Sequence, residues 1–242
     1  MRQFALIGLG KFSRDVLTQL SEATDEIVIV ERDPVLVEKV KDLARNAFII
    51  ASYDEETLTG VLPENIDVAV VDIVDNLEAT LMVTHTLKKM GVGEIVVKTD
   101  SDERSELLKI IGATRIVQAD REAAARIVPL LFSSSLYNFI PLGSNLVMAE
   151  VAVPKKYCGM TLVQADLRKR HAINVIAIRS GNTDEYRYFD AEYPLHQDDI
   201  LLLSGREKEV MAFSGLAERE VPKMSEQKKT GERFRRMMKG RK

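Results

Sequence analysis

The stretch Ala5-Leu6-Ile7-Gly8-Leu9-Gly10-Lys11-Phe12-Ser13 joins a short apolar run to a Gly-x-Gly turn and the start of a predicted helix. A second apolar run, 27–30, ends in Glu31, 23 residues after Gly8. This order of strand, turn, helix, strand and acid predicts a βαβ nucleotide site. The glycines allow close approach to a pyrophosphate, the helix amides face its charge, and the acid accepts from ribose hydroxyls.

Ser13 stands where the nucleotide fingerprint usually has its third glycine. That glycine lets the helix and the strand pack closely. A serine adds only a hydroxymethyl group, so we expect a slight displacement of the helix and a retained site.

Composition limits the classes of protein to consider. The chain has 242 residues, 45% of them hydrophobic, and a net charge of -3, which predicts no general attraction to nucleic acid or to a membrane surface. It has a single cysteine, Cys158, which fits a reducing cytosol. We see no signal peptide and no apolar run long enough to span a bilayer. The three histidines and the cysteine have no metal-binding spacing, and we predict no catalytic residue.

The first 118 residues alternate short strand patterns with helical patterns, which predicts a Rossmann-like, six-stranded parallel sheet. The strands are predicted at 4–7, 27–31, 47–51, 68–72, 95–98 and 115–118. Helices are predicted at 11–23, 77–90 and 103–111. Asp33 and Pro34 cap and begin another helix, and Gly91 and Gly112 lie where C-terminal caps belong.

After residue 118 the pattern changes. A long helix is predicted at 120–137, interrupted at Pro129 and ending in three serines, and Pro141-Leu142-Gly143-Ser144 marks a boundary. Beyond it we predict a small α+β module with strands at 147–153, 175–179, 187–189 and 200–204 and helices at 161–169 and 207–216. Residues 218–242 hold ten basic and four acidic residues, typical of a solvated tail or of a basic helix that contacts an anionic partner.

Several segments, in this order and spacing, resemble the RCK proteins, the Trk/Ktr-type cytosolic regulators of bacterial potassium uptake. They cover residues 2–213. The matching segments are Gly8-Leu9-Gly10-Lys11-Phe12, Val96-Val97-Lys98, Ile110-Ile111-Gly112-Ala113-Thr114-Arg115-Ile116-Val117, Glu150-Val151-Ala152-Val153-Pro154, Gly159-Met160-Thr161-Leu162, Asp166-Leu167-Arg168-Lys169-Arg170, Ile173-Asn174-Val175 and Asp198-Asp199-Ile200-Leu201-Leu202-Leu203-Ser204-Gly205.

The resemblance implies four regions: a nucleotide-binding domain at 1–119, a crossover and dimerisation helix with linker at 120–140, a C-terminal module at 141–216 and a basic tail at 217–242. Such regulators bind ATP, ADP or NAD(H), form dimers and an octameric ring, and gate a membrane potassium-translocating subunit. The implied location is cytoplasmic, peripheral on the inner face of the membrane. Some members also bind cyclic di-AMP between two C-terminal modules.

The resemblance and the fingerprint together predict twelve nucleotide-binding residues: Gly8, Gly10, Lys11, Phe12, Ser13, Glu31, Arg32, Ser52, Asp54, Ile73, Val74 and Lys98. The carboxylate of Glu31 would repel a 2′-phosphate, which predicts discrimination against NADP, although Arg32 could partly offset that repulsion. Lys11 is placed to meet a terminal phosphate. Asp54 is equally well explained as a helix N-cap, and Lys98 as a surface lysine.

Two further sites are implied by the resemblance alone. Asp120 matches an acid that helps to hold Mg2+ or Ca2+ against the terminal phosphate of a neighbouring subunit's ATP, although as a helix N-cap it also has a structural explanation. Arg168 and Asn174 match positions that contact cyclic di-AMP, although they are also explained as a helix-end arginine and a strand-start asparagine. The alternatives in function are an NAD-dependent oxidoreductase, which would need a proton donor near the nicotinamide, and a nucleotide-binding interaction module unrelated to potassium.

Overall fold

The computed structural model of the protein describes residues 2–143 and 145–216. The chain divides into two units at Arg121 and Glu122. The basic tail at 217–242 lies outside the described residues. In the part of the chain that is described, no helix has the length and apolar character needed to cross a membrane.

The first unit is built on one parallel sheet, as predicted. Its strands are β1 (Phe4–Ile7), β2 (Ile27–Glu31), β3 (Asn46–Ile49), β4 (Val68–Val71), β5 (Glu94–Lys98) and β6 (Arg115–Val117). They lie in the order β3-β2-β1-β4-β5-β6. Strands β2 and β3 are therefore added on one side of β1, and β4 to β6 on the other side. The helices are α1 (Lys11–Ser21), α2 (Pro34–Val40), α3 (Glu55–Val61), α4 (Leu77–Lys89) and α5 (Asp102–Ile111), with a 3-10 turn at Lys41–Leu43.

Both faces of this sheet are covered. All five residues of β2 are buried, which explains why its first four residues form a continuous apolar run. Alternate residues enter different cores: Ile7 and Val30 belong to one apolar cluster, and Leu6 and Ile29 to another. The predicted caps are confirmed locally, since the Asp33 side chain accepts from the amide of Val35 at 2.8 Å at the start of α2.

The second unit contains the predicted small α+β module. Its antiparallel sheet has the order β7-β8-β10-β9, with β7 (Leu136–Pro141), β8 (Leu146–Ala152), β9 (Asn174–Ser180) and β10 (Asp199–Arg206). A 3-10 turn lies at Lys155–Tyr157, and the helices are α7 (Leu162–Ala165), α8 (Leu167–His171) and α9 (Glu207–Phe213). Helix α6 (Ala119–Phe132) spans the division between the units.

The structure corrects the helix predicted at 120–137. Helix α6 continues through Pro129 and ends at Phe132, so the proline does not interrupt it. The hydroxyls of Ser133 and Ser135 both donate to the carbonyl oxygen of Ser214, at 3.1 and 2.6 Å. These bonds hold the chain in a non-helical bend, and residues 136–141 continue as strand β7 of the second sheet.

Two other predicted elements differ. The helix predicted at 161–169 is broken at Asp166, whose φ of 42° lies in the left-handed region, and becomes α7 and α8. The strand predicted at 187–189 is reduced to an isolated bridge between Arg187 and Ile178. The side chain of Arg187 stacks over the ring of Tyr193 and lies 3.5 Å from the carboxylate of Asp199. These side-chain contacts take the place of a regular strand pairing at 187–189.

One ion pair lies within the second sheet. Oε2 of Glu150 accepts from Nε and Nη2 of Arg179 at 3.0 and 2.7 Å, while Oε1 accepts from Asn138 at 3.2 Å. The two charged side chains are only 14% and 10% exposed, so each depends on the other for solvation. Burial raises the pKa of Glu150, but the hydrogen bonds from Arg179, Tyr186 and Asn138 outweigh it and leave the pKa below its ordinary value.

We expect Glu150→Gln to lower the free energy of unfolding by about 3 kcal/mol, because it leaves the guanidinium of Arg179 buried without its counter-charge. Thermal and urea unfolding measure this loss, with the exposed Glu192→Gln of the same unit as control. A lowered pKa contributes stability that is fully present above the ordinary glutamate pKa and is lost as pH falls through the folded-state pKa. The difference between wild type and variant should therefore shrink in acid; equal stability at neutral pH would contradict the prediction.

Candidate functional site

The turn between β1 and α1 packs against the end of β4. Gly8 has a φ of +82°, and a Cβ there would lie 2.5 Å from the carbonyl oxygen of Asp72. A Cβ on Gly10 would overlap the carboxylate of the same aspartate. The amide of Gly10 donates to the Asp72 carbonyl oxygen at 3.1 Å. Gly8 is therefore required by the close approach of the β4 backbone, and Gly10 by the close approach of the Asp72 side chain.

A cavity of about 600 Å3 opens beside this turn, at the carboxyl ends of the central strands. Ligands of open α/β sheets bind at such a place, where the strand order reverses. The lining combines acids with an apolar side that suits a flat base. It consists of Leu9, Gly10, Glu31, Arg32, Asp33, Leu36, Ile50, Ala51, Tyr53, Asp72, Ile73, Val74 and Asn76.

Glu31 is held by hydrogen bonds on both carboxylate oxygens. Oε2 accepts from the amide of Leu9 at 2.6 Å. Oε1 accepts from the amides of Arg32 and Asp33 at 2.5 and 3.0 Å and from the hydroxyl of Tyr53 at 3.4 Å. The residue is 8% exposed and lines the cavity. These donors stabilise a buried negative charge and fix its orientation, and one lone pair of Oε2 stays available to a ligand hydroxyl.

Tyr53 is a site residue that the sequence analysis missed, although it named the residues on either side. Its side chain is buried and lines the cavity. Burial, followed by the charge of Glu31, raises the pKa of the Tyr53 phenol, so the hydroxyl stays protonated and donates to Glu31. A tyrosine between two small polar residues carries no fingerprint signal, which is why its role emerges only from the fold.

Asp72 is the second missed residue. It is 3% exposed, lines the cavity and accepts from the amide of Ser13, in the first turn of α1, at 3.0 Å. The sequence does contain a signal for it. Asp72 directly follows the apolar strand β4, much as Glu31 ends the apolar strand β2. An acid directly after a central strand lies at the carboxyl edge of the sheet, where the ligand site is expected.

The structure divides the twelve predicted nucleotide residues. Five of them line the cavity: Gly10, Glu31, Arg32, Ile73 and Val74. Gly8 shapes the turn behind it. Lys11 is the exposed first residue of α1, and Phe12 packs into the apolar cluster that contains Leu6. Ser13 is fully buried, and its hydroxyl has no hydrogen-bond partner among the described residues.

The remaining three lie beside the cavity. Ser52 donates to the carboxylate of Asp54, which also accepts from the amide of Thr57 at 2.8 Å and caps α3. The Ser52 hydroxyl and then this amide lower the pKa of Asp54 to about 2. Lys98 lines a smaller cavity of about 70 Å3 at the ends of β4 and β5. Asp72, Ile73, Val74 and Asn76 line both cavities, so Lys98 lies next to the main one.

The residues predicted for a metal and a second ligand lie outside this cavity. Asp120 is exposed in the first turn of α6. No group of three or more metal-ligating side chains is found in residues 2–143 and 145–216. Arg168 and Asn174 are exposed on α8 and at the start of β9 in the second unit. The two sites stay predictions.

Comparison with known proteins identifies the chain. The TrkA-N domain model matches residues 4–119, and the TrkA-C domain model matches residues 146–217. The chain is 31% identical over 212 residues to Ktr system potassium uptake protein C of Bacillus subtilis, covering 88% of this chain and 96% of that relative. The chain belongs to the family of Ktr-type potassium uptake proteins. Ktr system potassium uptake protein A of Vibrio alginolyticus is 26% identical over 204 residues, covering 84% of this chain and 92% of that protein.

Solved structures agree on the fold of this Ktr-type chain. The GsuK RCK domain matches with a TM-score of 0.60 and 17% identity, covering 91% of this chain and 48% of that one. The GsuK channel bound to NAD matches with the same score and identity over 89% of this chain and 39% of that one. At this identity the likeness shows the fold alone. The predicted resemblance to RCK proteins is confirmed.

We expect Gly10→Ala to destabilise the first unit of this Ktr-type chain, by about 1–3 kcal/mol, since the added methyl group overlaps the Asp72 carboxylate. Thermal unfolding measures the effect. The control is Gly60→Ala in helix α3, where a Cβ meets nothing within 4 Å and where alanine is the better helix former. Gly60→Ala should leave stability unchanged or raise it; equal effects of the two variants would contradict the role assigned to Gly10.

Proposed function

We propose that the chain is the nucleotide-sensing regulatory subunit of a membrane potassium transporter. The observation that carries this proposal is the anchored carboxylate of Glu31 in a cavity of about 600 Å3, within a chain of the Ktr family. In this proposal ATP, ADP or NAD(H) enters with its ribose on Glu31, its base against the apolar side and its phosphates at the Gly8–Gly10 turn.

The transport role in this proposal follows the names of the relatives, which are potassium uptake proteins. The subunit would dimerise through the helix at 120–140, assemble into an octameric ring and lie in the cytoplasm under the membrane potassium-translocating subunit. The exposed apolar side chains of Ile127, Leu131 and Phe132 on α6 support pairing through this helix. Leu131 is 76% exposed, and a partner helix would remove this apolar surface from water.

Gating in this proposal rests on the phosphates. A ligand shifts a conformational equilibrium only by its differential affinity for the two states. ATP and ADP share the adenosine part, so the third phosphate must supply the difference. We assign its recognition to Lys11 and, across a subunit boundary, to Asp120 with Mg2+ or Ca2+. Cyclic di-AMP at Arg168 and Asn174 is a second proposed ligand.

An oxidoreductase is the alternative from another class. The lining of the main cavity contains no histidine, lysine or cysteine among the described residues. His196, whose amide donates to Asp199 at 2.8 Å, belongs to a turn of the second unit. Hydride transfer from NADH to a small carbonyl substrate would favour the enzyme over the sensor.

Calorimetric titration with ATP, ADP, NADH, NADPH and cyclic di-AMP tests the proposed pocket. We expect Glu31→Gln to weaken ATP, ADP and NADH alike, by about tenfold, because the ribose loses a charged acceptor. Wild type should bind NADH more tightly than NADPH, since Glu31 repels the 2′-phosphate, and the variant should lose this preference. Equal affinity of wild type for NADH and NADPH would contradict the role of Glu31. Circular dichroism checks that the variant is folded.

Lys11→Ala should weaken ATP more than ADP, by about threefold to tenfold, because only ATP carries a third phosphate. Lys39→Ala, which removes an exposed lysine of α2, is the matched control. Potassium uptake by the transporter reconstituted with this subunit should respond differently to ATP and ADP, and Lys11→Ala should reduce that difference. Identical uptake with both nucleotides on wild type would overturn the proposed gating.

A further inference from the structure

The second unit carries a cluster of exposed basic side chains, which we call the basic patch. It consists of Lys155, Lys156, Lys169 and Arg170. These residues come from two elements, the 3-10 turn at Lys155–Tyr157 and helix α8. The two elements are joined by Tyr157, which is 4% exposed and whose hydroxyl lies 2.6 Å from Nε2 of His171, the last residue of α8. The patch is therefore built on a packed contact.

Two of the cations act on this contact directly. Nζ of Lys156 lies over the Tyr157 ring, 4.9 Å from its centroid. Burial lowers the pKa of His171, and the charges of Lys156 and Arg170 lower it further, while the charge of Glu209 on α9 acts in the opposite sense. Both cations therefore lie in the neighbourhood of one histidine, although they belong to different elements.

The basic patch differs from the other charges of the second unit in having no counter-ion. Arg179 pairs with Glu150, and Arg187 pairs with Asp199. Within residues 2–143 and 145–216, none of the four cations of the patch forms an ion pair. The end of a helix favours cations in its last turn, but this explains only the two that lie on α8. Uncompensated positive charge on one face attracts an anionic partner.

A second observation concerns where the described part of the chain ends. Leu216 is 6% exposed and belongs to the same apolar cluster as Tyr157. The sequence that follows it, 217–242, holds ten basic and four acidic residues. Because the whole chain has a net charge of -3, the remainder carries an excess of acid. Positive charge is therefore concentrated in the basic patch and in the sequence that continues from the same module.

Among anionic partners, a lipid bilayer fits these charges better than a nucleic acid. A bilayer needs only one positive face, whereas a long nucleic acid would also meet the acidic remainder of the chain. The aromatic ring of the patch, Tyr157, is buried and cannot stack on a base. The sequence after Leu216 also sets apolar residues among its basic ones, as segments that lie at a lipid interface do: Phe234, Met237 and Met238.

We propose that the basic patch, together with the basic sequence after Leu216, docks the second unit on a bilayer that contains anionic lipids. The inference goes beyond the proposed function, which puts the subunit under a membrane protein and assigns no contact with lipid. Each Lys or Arg near an anionic surface contributes about fivefold in affinity. The cations of the patch are exposed, so salt screens this attraction.

The test is co-sedimentation of the full chain with phosphatidylcholine vesicles, prepared with and without phosphatidylglycerol. The patch variant carries Lys155→Gln, Lys156→Gln and Lys169→Gln. The matched control removes the same charge from exposed lysines of the first unit, by Lys39→Gln, Lys88→Gln and Lys109→Gln. A tail variant carries Arg233→Gln, Arg235→Gln and Arg236→Gln. Circular dichroism checks that each variant is folded.

We expect wild type to bind only the vesicles with phosphatidylglycerol, and less at high salt. The patch variant should bind them at least about tenfold more weakly, and the tail variant should also bind more weakly. The control should stay within about twofold of wild type, because its charges lie away from the patch. If the patch variant does not fold, a variant with Lys155→Gln and Lys169→Gln, which leaves Lys156 on the Tyr157 ring, is judged by the same criteria.

Three results would overturn the inference: equal binding to both kinds of vesicle, equal losses in the patch variant and the control, or a loss in the tail variant alone. Duplex DNA is tested in parallel. DNA binding that needs the patch lysines, without binding to vesicles, would replace the bilayer by a nucleic acid as the partner. The assay contains neither nucleotide nor transporter, so its failure leaves the proposed nucleotide pocket standing, and failure of that pocket leaves the lipid contact standing.

Discussion

The close approach of the Gly8–Gly10 turn to the end of β4 is the contact on which the site depends. It needs two residues without a Cβ, because side chains there would collide with the backbone and the carboxylate of Asp72. The contact sets the start of α1, brings its free amides to the edge of the sheet, and leaves a cavity beside β2. Its position follows from the strand order, in which β1 lies between β2 and β4.

Glu31 and Asp72 hold this turn in the same way from its two sides. Each acid closes a central strand, and each accepts a backbone amide of the β1–α1 connection: Leu9 for Glu31 and Ser13 for Asp72. The two carboxylates thus fasten the turn to β2 and to β4. Charged acceptors strengthen such hydrogen bonds, so the same side chains that present negative charge to a ligand also hold the backbone that would bind its phosphates.

The sequence predicts the parallel sheet and five of the thirteen residues that line the main cavity, and the differences elsewhere have specific causes. Strands β1 and β2 could be bounded correctly because buried parallel strands are continuous apolar runs between turn signals. The helix predicted at 120–137 overlaps the start of β7, because the bonds that follow the true helix end join Ser133 and Ser135 to Ser214, which is distant in sequence. Ser52 and Asp54, which stay predicted ligand residues, bond each other, while Tyr53 between them lines the cavity. Local patterns do not show which of three successive loop residues faces a cavity.

In the proposed function, ligands are distinguished mainly at the phosphate end of the site. ATP, ADP and NAD(H) offer the same ribose and base, so in the proposed function Glu31 and the apolar side of the cavity would contribute equally to all three. Differences in affinity must therefore arise where the ligands differ, which is at the phosphates. At that end the structure has the amides at the start of α1, the exposed Lys11 and the buried carboxylate of Asp72. Because a ligand can shift a conformational equilibrium only through differential binding, the proposed sensor would have to distinguish its ligands at the first turn of α1.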